Sequence, residues 1–387
     1  MNILIFAHDC GLRGAERVVA EEATLLSDRG WNVTVIVPCA SGGLAHYLRS
    51  KSIRVVIIRY FWWMGPGNFS GRVKRILGNL IALPQLLWIL NSGRFDLVHV
   101  HSIACGIGAI AARLSNVPHI WHLHEPGPYA NSDDRPIFDI GESLSIALAN
   151  WTKSRFVAVS ASVARLFEPK LELSEIGVLY QSISTNPGIA VSDMPTLEQI
   201  TNWSGRKLVI VGALQTWKDQ KTAVHALPTI IKDSPGTGLF LIGDDSVGLG
   251  YEIDALAREL GVSDNVFRLG TMANATPAIA AADACIVTAL DEGFGRVAVE
   301  AMLSKTSVIS ADVTVNREVA GDGNVDFFEP SDPQSLAATV SKVFKRSCVE
   351  NDKKLTRALI YASEKFSLEV AADALETELL ACLNRQT

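Results

Sequence analysis

Two glutamates frame a glycine-rich loop in the second half of the chain. Glu292 and Glu300 flank the segment 293–296 (GFGR), which follows an apolar run that we predict to be a strand. Glycines let the backbone approach a ligand closely, and a helix that begins here points its positive end into the same space. Because carboxylates accept hydrogen bonds from hydroxyl groups, this pattern predicts a ligand with an anionic centre and hydroxylated ends, such as a nucleotide sugar. The alternative is two solvated carboxylates.

A second group of polar side chains follows another predicted strand, in the segment 121–126 (WHLHEP). His122, His124 and Glu125 crowd the end of this strand, and Pro126 prevents a helix from starting there. This density favours a functional role. The alternative is one satisfied strand-end histidine beside a solvated one. A metal site is disfavoured, because no other cluster in the sequence supplies a third and a fourth ligand.

A third candidate is the glycine-bearing turn at 8–17 (HDCGLRGAER), which follows the first predicted strand. Gly14 lies where this turn opens into a helix, so backbone N–H groups could face an anion or a hydroxyl-rich ligand. The alternative is a turn that only allows tight packing between strand and helix.

Parallel strands must position these three segments. The apolar runs are short, β-branched and unalternated, and each is followed by a segment of helical period, which is typical of strands covered on both faces by helices. In such sheets ligands lie outside the carboxyl ends of the strands. The predicted strands are Ile3–Ala7, Asn32–Val37, Arg54–Ile58, Leu97–His101, His119–His122, Arg155–Ser160, Lys207–Gly212, Gly238–Ile242, Val266–Leu269, Ala284–Val287 and Ser307–Ser310. The fold class is therefore α/β, with two doubly wound, Rossmann-like parallel-sheet domains.

The two domains are joined by a polar segment rich in Ser, Thr, Asn and Pro, at 184–204. We predict an N-terminal domain at 1–183 and a C-terminal domain at 184–365. The last segment, 366–387, has a helical period and is predicted to return to the N-terminal domain.

Composition excludes several classes of protein. Hydrophobic residues make up 48% of the 387 residues, which excludes a disordered chain. The net charge of −6 gives no basic footprint for nucleic acid. The 6 cysteines are scattered and contain no C-x-x-C pair, so we expect neither a zinc site nor a disulfide framework, and a reducing cytoplasm fits best. The first apolar run is too short for the core of a signal peptide.

Several segments together resemble family four of the retaining GT-B glycosyltransferases, and the similarity runs through nearly the whole chain. The pair Glu292 and Glu300 around G-F-G resembles the family's signature most closely. The other matching segments are 14–19 (GAERVV), 29–33 (RGWNV), 96–102 (DLVHVHS), 211–220 (VGALQTWKDQ) and 241–244 (LIGD). The resemblance implies two Rossmann-like domains that face a cleft, with the acceptor on one side and the donor on the other.

The resemblance also implies roles for the matching residues. Lys218 would hold the donor diphosphate, Glu292 the sugar hydroxyls and Glu300 the ribose diol, while His124 would stand near the anomeric carbon, with His122 in reserve. The implied donor-binding residues are Gly212, Lys218, Glu292, Gly293, Phe294, Gly295, Arg296 and Glu300, the acceptor-binding residues Arg13, Gly14, His101 and His122, and the catalytic residues His124, Glu292 and Lys218.

The implied reaction is a retaining transfer that uses no metal and no cofactor beyond the nucleotide-diphosphate sugar. The acceptor would be a glycan, a lipid-linked molecule or a polyol, in the synthesis of cell-surface polysaccharide or glycolipid. One departure concerns Ala213, which stands where the family has an arginine, so Arg13 or Arg296 would supply the missing charge. The alternative is a non-catalytic or weakly active subunit that binds nucleotide sugars.

The segment 61–75 mixes aromatic and basic residues and leads into the apolar helix predicted at 76–90. Its composition is typical of an interfacial anchor, with Trp62 and Trp63 at the level of lipid headgroups and cations facing anionic lipid. We expect no membrane span, because the apolar run is short and contains Pro84. The alternative is a loop followed by a core helix. The predicted location is the cytoplasm, with peripheral contact to the inner-membrane surface through 61–90.

Overall fold

The chain divides into two compact units. The structure is a computed structural model that describes residues 1–12, 14–65, 67–125, 137–171, 175–183 and 193–384. The first unit contains Met1–Ser182 and Leu368–Thr387, and the second contains Ile183–Ser367. The boundary therefore lies one residue before the predicted one.

A parallel sheet forms the centre of the first unit. The described strands of this unit are β1 Asn2–Phe6, β2 Asn32–Val37, β3 Arg54–Ile57, β4 Met64–Gly65, β5 Leu97–His101, β6 His119–Leu123, β7 Ile137–Phe138, β8 Arg155–Ala158 and β9 Gly177–Val178. The sheet has the order β3-β2-β1-β5-β6-β8-β9, and a separate antiparallel pair joins β4 to β7.

Helices follow the strands of the first unit. They are α1 Gly14–Asp28, α2 Gly43–Ser50, α3 Phe69–Gly93, α4 Gly106–Leu114, α5 Glu142–Thr152 and α6 Ala161–Phe167. The amphipathic α1 buries Val19, Ala23 and Leu26 against alternate residues of the central strands, such as Ile3 and Leu97. This period-2 alternation decides which strand side chains face α1.

The second unit repeats the arrangement. Its described strands are β10 Lys207–Val211, β11 Gly238–Ile242, β12 Val266–Arg268, β13 Ala284–Val287, β14 Ser307–Ala311 and β15 Asp326–Phe328. They form a parallel sheet in the order β12-β11-β10-β13-β14-β15. The helices are α7 Met194–Thr201, α8 Gln220–Asp233, α9 Leu249–Glu259, α10 Thr276–Ala280, α11 Arg296–Leu303, α12 Thr314–Ala320, α13 Pro333–Lys345 and α14 Cys348–Phe366.

The last helix, α15 (Leu368–Asn384), belongs to the first unit. Its Leu375 and Leu379 join the same core as α1, and Trp31 Nε1 donates a hydrogen bond to Glu376 Oε1 at 3.0 Å. The doubly wound α/β class predicted from the sequence is confirmed. The strands that sequence analysis missed are two or three residues long, too short to show a period: β4, β7, β9 and β15.

Strand order fixes one binding edge in each unit. In both sheets the chain reverses direction of growth beside the first strand, between β1 and β5 and between β10 and β13. The loops that leave such neighbouring strands in opposite directions open a crevice at their carboxyl ends, where ligands of doubly wound sheets bind. The three segments identified in the sequence follow β1, β6 and β13.

Helix α3 is longer than the apolar helix predicted at 76–90. It runs over 25 residues, from Phe69 to Gly93, and continues through Pro84. By length and composition it could cross a membrane, and no other helix in the described part of the chain meets that test. Leu86 and Leu90, which follow the proline, are buried.

A disulfide corrects the expectation from cysteine spacing. Cys10 and Cys39 are joined, with Cα atoms 5.8 Å apart. They follow β1 and β2, whose parallel pairing of Phe6 with Ile36 brings the two strand ends together. Spacing along the chain could not reveal this pair, because the two positions are 29 apart in the sequence and an entire helix lies between them.

Candidate active site

Two loops of the second unit meet at the carboxyl ends of β10 and β13. Thr288 Oγ1 donates a hydrogen bond to the carbonyl of Lys218 at 2.5 Å, and the Leu290 amide donates to the carbonyl of Trp217 at 2.9 Å. These bonds place the ammonium of Lys218 in an ion pair with the carboxylate of Glu292. The two residues that the sequence singled out 74 positions apart therefore lie side by side.

The Lys218–Glu292 pair is partly open to solvent, with 23% of the lysine side chain and 19% of the glutamate side chain exposed. Solvent therefore reaches both charged groups. A ligand that offers an anion to the lysine and hydroxyl groups to the glutamate could engage the same two groups.

The conformation of the glycine-rich loop at 293–295 is fixed by Gly295 and by the buried ring of Phe294. Gly295 has a φ of +84° and is the N-cap of α11, a conformation that favours glycine. The ring of Phe294 is buried and meets Phe366 edge-on, with centroids 5.3 Å apart. The side chain of Phe294 therefore fixes the loop, and its backbone lies beside the N-terminus of α11.

Two charged residues of α11 lie at the same end. Arg296 begins the helix and Glu300 lies in its second turn, with Arg296 Nε 3.8 Å from Glu300 Oε1. Both side chains are largely buried. Gly212 directly follows β10, and its amide donates to the carbonyl of Ile242 at 2.8 Å. The donor residues implied by the sequence thus all lie in the loops that follow β10 and β13 or in the first two turns of α11.

In the first unit, a cluster of histidines lies on the sheet face covered by α1. His99 and His101 alternate along β5, and His101 pairs in register with His122 of β6, so all three imidazoles face α1. There they meet the carboxylate of Glu22. We call this the His₃Glu cluster; it consists of Glu22, His99, His101 and His122.

Burial dominates the acid–base properties of this cluster. It lowers the pKa of His101 to about 3 and that of His122 to about 4, and it lowers the pKa of His99 well below its ordinary value. Burial also raises the pKa of the Glu22 carboxyl. The imidazoles are therefore neutral at pH 7, with a lone pair on each ring.

His124 stands directly above the cluster, beyond the end of β6. Its Nε2 is 2.9 Å from Nδ1 of His101, within hydrogen-bond distance. Burial lowers the pKa of His124 well below its ordinary value, and the neighbouring histidines lower it further. The imidazole is therefore neutral, and its orientation is set by His101.

His8, on the loop after β1, carries a different charge balance. Burial lowers its pKa, but the hydrogen bond to Glu16 and the charge of that carboxylate outweigh burial, so the pKa is raised. His8 Nε2 lies 2.9 Å from Glu16 Oε1. The ring also stacks on Trp62, with centroids 5.8 Å apart.

The predicted acceptor-binding residues differ in their burial and position. Gly14 is the first residue of α1 and is exposed, whereas Arg13 lies outside the described residues. His101 and His122 are fully buried beneath α1, which argues against direct contact with an acceptor. The expectation that no third and fourth metal ligand exists is wrong, because the strand register adds His99 and α1 adds Glu22.

Family comparisons match both units. The family described as Glycosyltransferase Family 4 matches residues 12–186, and the family described as Glycosyl transferases group 1 matches residues 196–366. The chain belongs to the family 4 glycosyltransferases. The resemblance found in the sequence is confirmed, and so is its assignment as an enzyme of the glycosyltransferase class.

Two relatives and one solved structure are similar to this family 4 glycosyltransferase over most of its length. The phosphatidyl-myo-inositol mannosyltransferase of Mycobacterium tuberculosis is 26% identical over 88% of this chain and 84% of its own. An Escherichia coli UDP-Gal:α-D-GlcNAc-diphosphoundecaprenol α-1,3-galactosyltransferase is 23% identical over 79% of this chain and 78% of its own. The crystal structure of Anabaena HepE in complex with UDP-glucose has a TM-score of 0.78 at 23% identity and covers 97% of this chain and 99% of that one. The GT-B class of fold predicted from the sequence is thereby confirmed.

Two residues of this family 4 glycosyltransferase escaped the sequence analysis. Glu22 lies on α1 among Val19, Ala23 and Leu26, so it occupies a position of the helical period that is otherwise apolar and buried. An acidic residue at such a position signals a buried partner. His99 lies in the segment 96–102 that resembles a family motif. Its alternation with His101 predicts that both side chains lie on the same face of the sheet.

Proposed function

We propose that this glycosyltransferase moves a sugar from a nucleotide-diphosphate donor to a lipid-linked or glycan acceptor, with retention at the anomeric carbon and without a metal at the donor. The observation that carries the proposal is the Lys218–Glu292 pair at the carboxyl ends of β10 and β13, beside the start of α11. Its two charges suit the two halves of such a donor.

Donor binding follows from the charges of the second unit. The ammonium of Lys218, the guanidinium of Arg296 and the positive end of α11 attract the diphosphate. Glu292 accepts hydrogen bonds from sugar hydroxyls, and Glu300 from the ribose diol. These fixed positive groups take the place that a divalent cation would hold, and Arg296 offsets the loss of the arginine at Ala213.

The chemical step needs stabilisation of the departing diphosphate. As the bond from the anomeric carbon to the phosphate oxygen breaks, negative charge grows on that oxygen and positive charge on the sugar ring. Lys218 and the α11 terminus stabilise the first. The acceptor hydroxyl attacks from the face that the diphosphate leaves, and its proton passes to the departing phosphate oxygen. Preorganised charge is then the main source of rate enhancement.

A thermal-shift screen against nucleoside diphosphates and their sugars tests donor binding. A ligand at about one hundred times its dissociation constant adds about 2.7 kcal/mol to the free energy of unfolding. UDP and UDP-glucose are the first probes, because HepE binds them. We expect the nucleoside diphosphate of one base to raise the melting temperature. We also expect the nucleotide sugar of that base to be hydrolysed slowly. Binding without any turnover, with every acceptor tried, would favour a non-catalytic partner subunit instead.

The first unit carries an apolar surface that suits a lipid-linked acceptor. Phe69, Ile81 and Trp88 are exposed by 81%, 70% and 71% and lie on one side of α3, opposite the buried Leu86 and Leu90. Val73, Leu77 and Leu80 belong to the same exposed stripe. An apolar stripe of this length on a helix that is anchored along its other side favours a position in the headgroup region of a membrane. We propose peripheral contact with the cytoplasmic face.

The structure changes which residues we expect to contact the membrane. Trp63 is buried, and its indole donates to the carbonyl of Ile103 at 2.7 Å. Arg75 pairs with Asp139 at 2.5 Å, and Arg72 Nε donates to the Asp139 carbonyl at 2.9 Å. The aromatic and cationic groups at 61–75 therefore mostly stabilise the fold, and the exposed stripe lies further along α3.

Vesicle flotation tests this surface. We expect the wild type to float with anionic lipid vesicles and the double variant Ile81→Glu, Trp88→Glu to bind at least about tenfold less, since burying each side chain is worth roughly 1.5–3 kcal/mol. Ile360→Glu, on an exposed apolar position of α14, is the matched control and should float like the wild type. A wild type that stays in the dense fraction would refute the membrane contact.

A further inference from the structure

Four metal-binding groups converge in the core of the first unit. The ligand atoms of the His₃Glu cluster all lie within 4.8 Å of one another, and every side chain is buried. Glu22 Oε2 is 3.2 Å from His101 Nε2 and 3.5 Å from His99 Nδ1, and Glu22 Oε1 is 3.7 Å from His122 Nδ1. The ligands of a tetrahedral zinc ion are about 3.3 Å apart, because each bond is about 2.0 Å long.

These contacts are not hydrogen bonds. Glu22 Oε2, His99 Nδ1, His101 Nε2 and His122 Nδ1 are all buried, and none has a hydrogen-bond partner among the described residues. Buried polar atoms are nearly always paired, so several unpaired ones facing each other require an explanation. A cation that accepts one lone pair from each satisfies all of them together.

We propose that the His₃Glu cluster is a closed binding site for a divalent transition-metal cation, and that Zn²⁺ fits it best. Imidazole nitrogens and a carboxylate suit Zn²⁺, and four protein ligands leave no open position, which is typical of a structural site. The cation would neutralise the buried carboxylate of Glu22. The cluster lies within the core of the first unit, between β5, β6 and α1, whereas the proposed donor-binding residues belong to the second unit.

The site would also set the orientation of His124. With His101 Nε2 bound to the cation, the proton of His101 must lie on Nδ1, which then donates to His124 Nε2 at 2.9 Å. The proton of His124 is thereby fixed on its own Nδ1. The cation would thus hold one tautomer of His124 without touching any substrate.

Metal analysis of the whole protein, purified without a polyhistidine tag, tests the proposal. We expect about one Zn²⁺ per chain, and X-ray absorption at the zinc edge should show only nitrogen and oxygen ligands, with the outer-shell pattern of imidazole. Protein expressed with Co²⁺ should show the visible absorption of a tetrahedral ion. A wild type without metal and without a cobalt spectrum, or with sulfur ligands, would overturn the site.

The variant Glu22→Gln locates the cation, since it keeps the side chain's shape and removes the anionic ligand. We expect bound zinc to fall at least about tenfold, while His225→Ala, an exposed histidine of α8, retains it. Full zinc content in Glu22→Gln would place the cation elsewhere and refute the assignment. If that variant does not fold, the absorption spectra of the wild type still decide. Neither measurement depends on donor or acceptor, so failure here leaves the proposed transfer reaction standing, and the reverse also holds.

Discussion

Lys218→Ala is expected to reduce kcat by roughly a hundredfold to a thousandfold with the true donor, which corresponds to about 2.7–4 kcal/mol of transition-state stabilisation. The ammonium is the positive group that the loop after β10 holds beside Glu292, and the hydrogen bond from Thr288 fixes its backbone. Because charge on the diphosphate grows as the glycosidic bond breaks, the loss should appear in kcat more than in KM. Steady-state kinetics of purified wild type and variant provide the measurement.

The matched control for this prediction is Lys221→Ala. Lys221 lies three residues further along the chain, in the first turn of α8, and pairs with Glu252 on the surface. The variant Lys221→Ala removes the same charge from the same unit but leaves the Lys218–Glu292 pair intact. We therefore expect its kcat to stay near that of the wild type. If Lys218→Ala also turned over at the wild-type rate, or if both variants lost activity equally, the role of Lys218 on the diphosphate would be wrong.

His124→Ala is expected to lower kcat by about a hundredfold, the usual effect of removing one positioned polar group at a reacting centre. The prediction rests on the neutral imidazole of His124, held by His101 at the end of β6, and on its match to the family's residue near the anomeric carbon. Turnover of the variant, measured with donor and acceptor at saturation, tests it.

A buried histidine at the other end of β6 provides a control that separates catalysis from folding. His119 begins β6, and its Nδ1 lies 3.0 Å from the carbonyl of Val117. His119→Ala removes an equally buried ring but no group at the strand's carboxyl end, so we expect a lower melting temperature with nearly unchanged kcat. Equal losses of kcat in both variants, in proportion to their losses of stability, would show that His124 acts only in packing.

Local sequence patterns predicted most of the strands and the class of fold. Strands such as Asn32–Val37 and Ala284–Val287 have the bounds predicted from their apolar runs, because a strand covered on both faces must be apolar throughout. The glycines around Phe294 predicted a loop that leads into a helix, and Gly295 has the positive φ that such a start requires. The bounds of other segments were harder to predict, as α3 shows, since it begins at Phe69 rather than at the predicted residue 76.

Local sequence patterns were enough to predict the two doubly wound units, the family and the glycine-rich loop at 293–295, because strand periodicity and glycine conformation are encoded within a few neighbouring residues. The packed fold sets which side chains meet. It paired Lys218 with Glu292, joined Cys10 to Cys39, and brought Glu22 to the histidines of β5 and β6. Such meetings depend on strand register and on how α1 packs across the sheet. Both are set by the whole core rather than by local spacing.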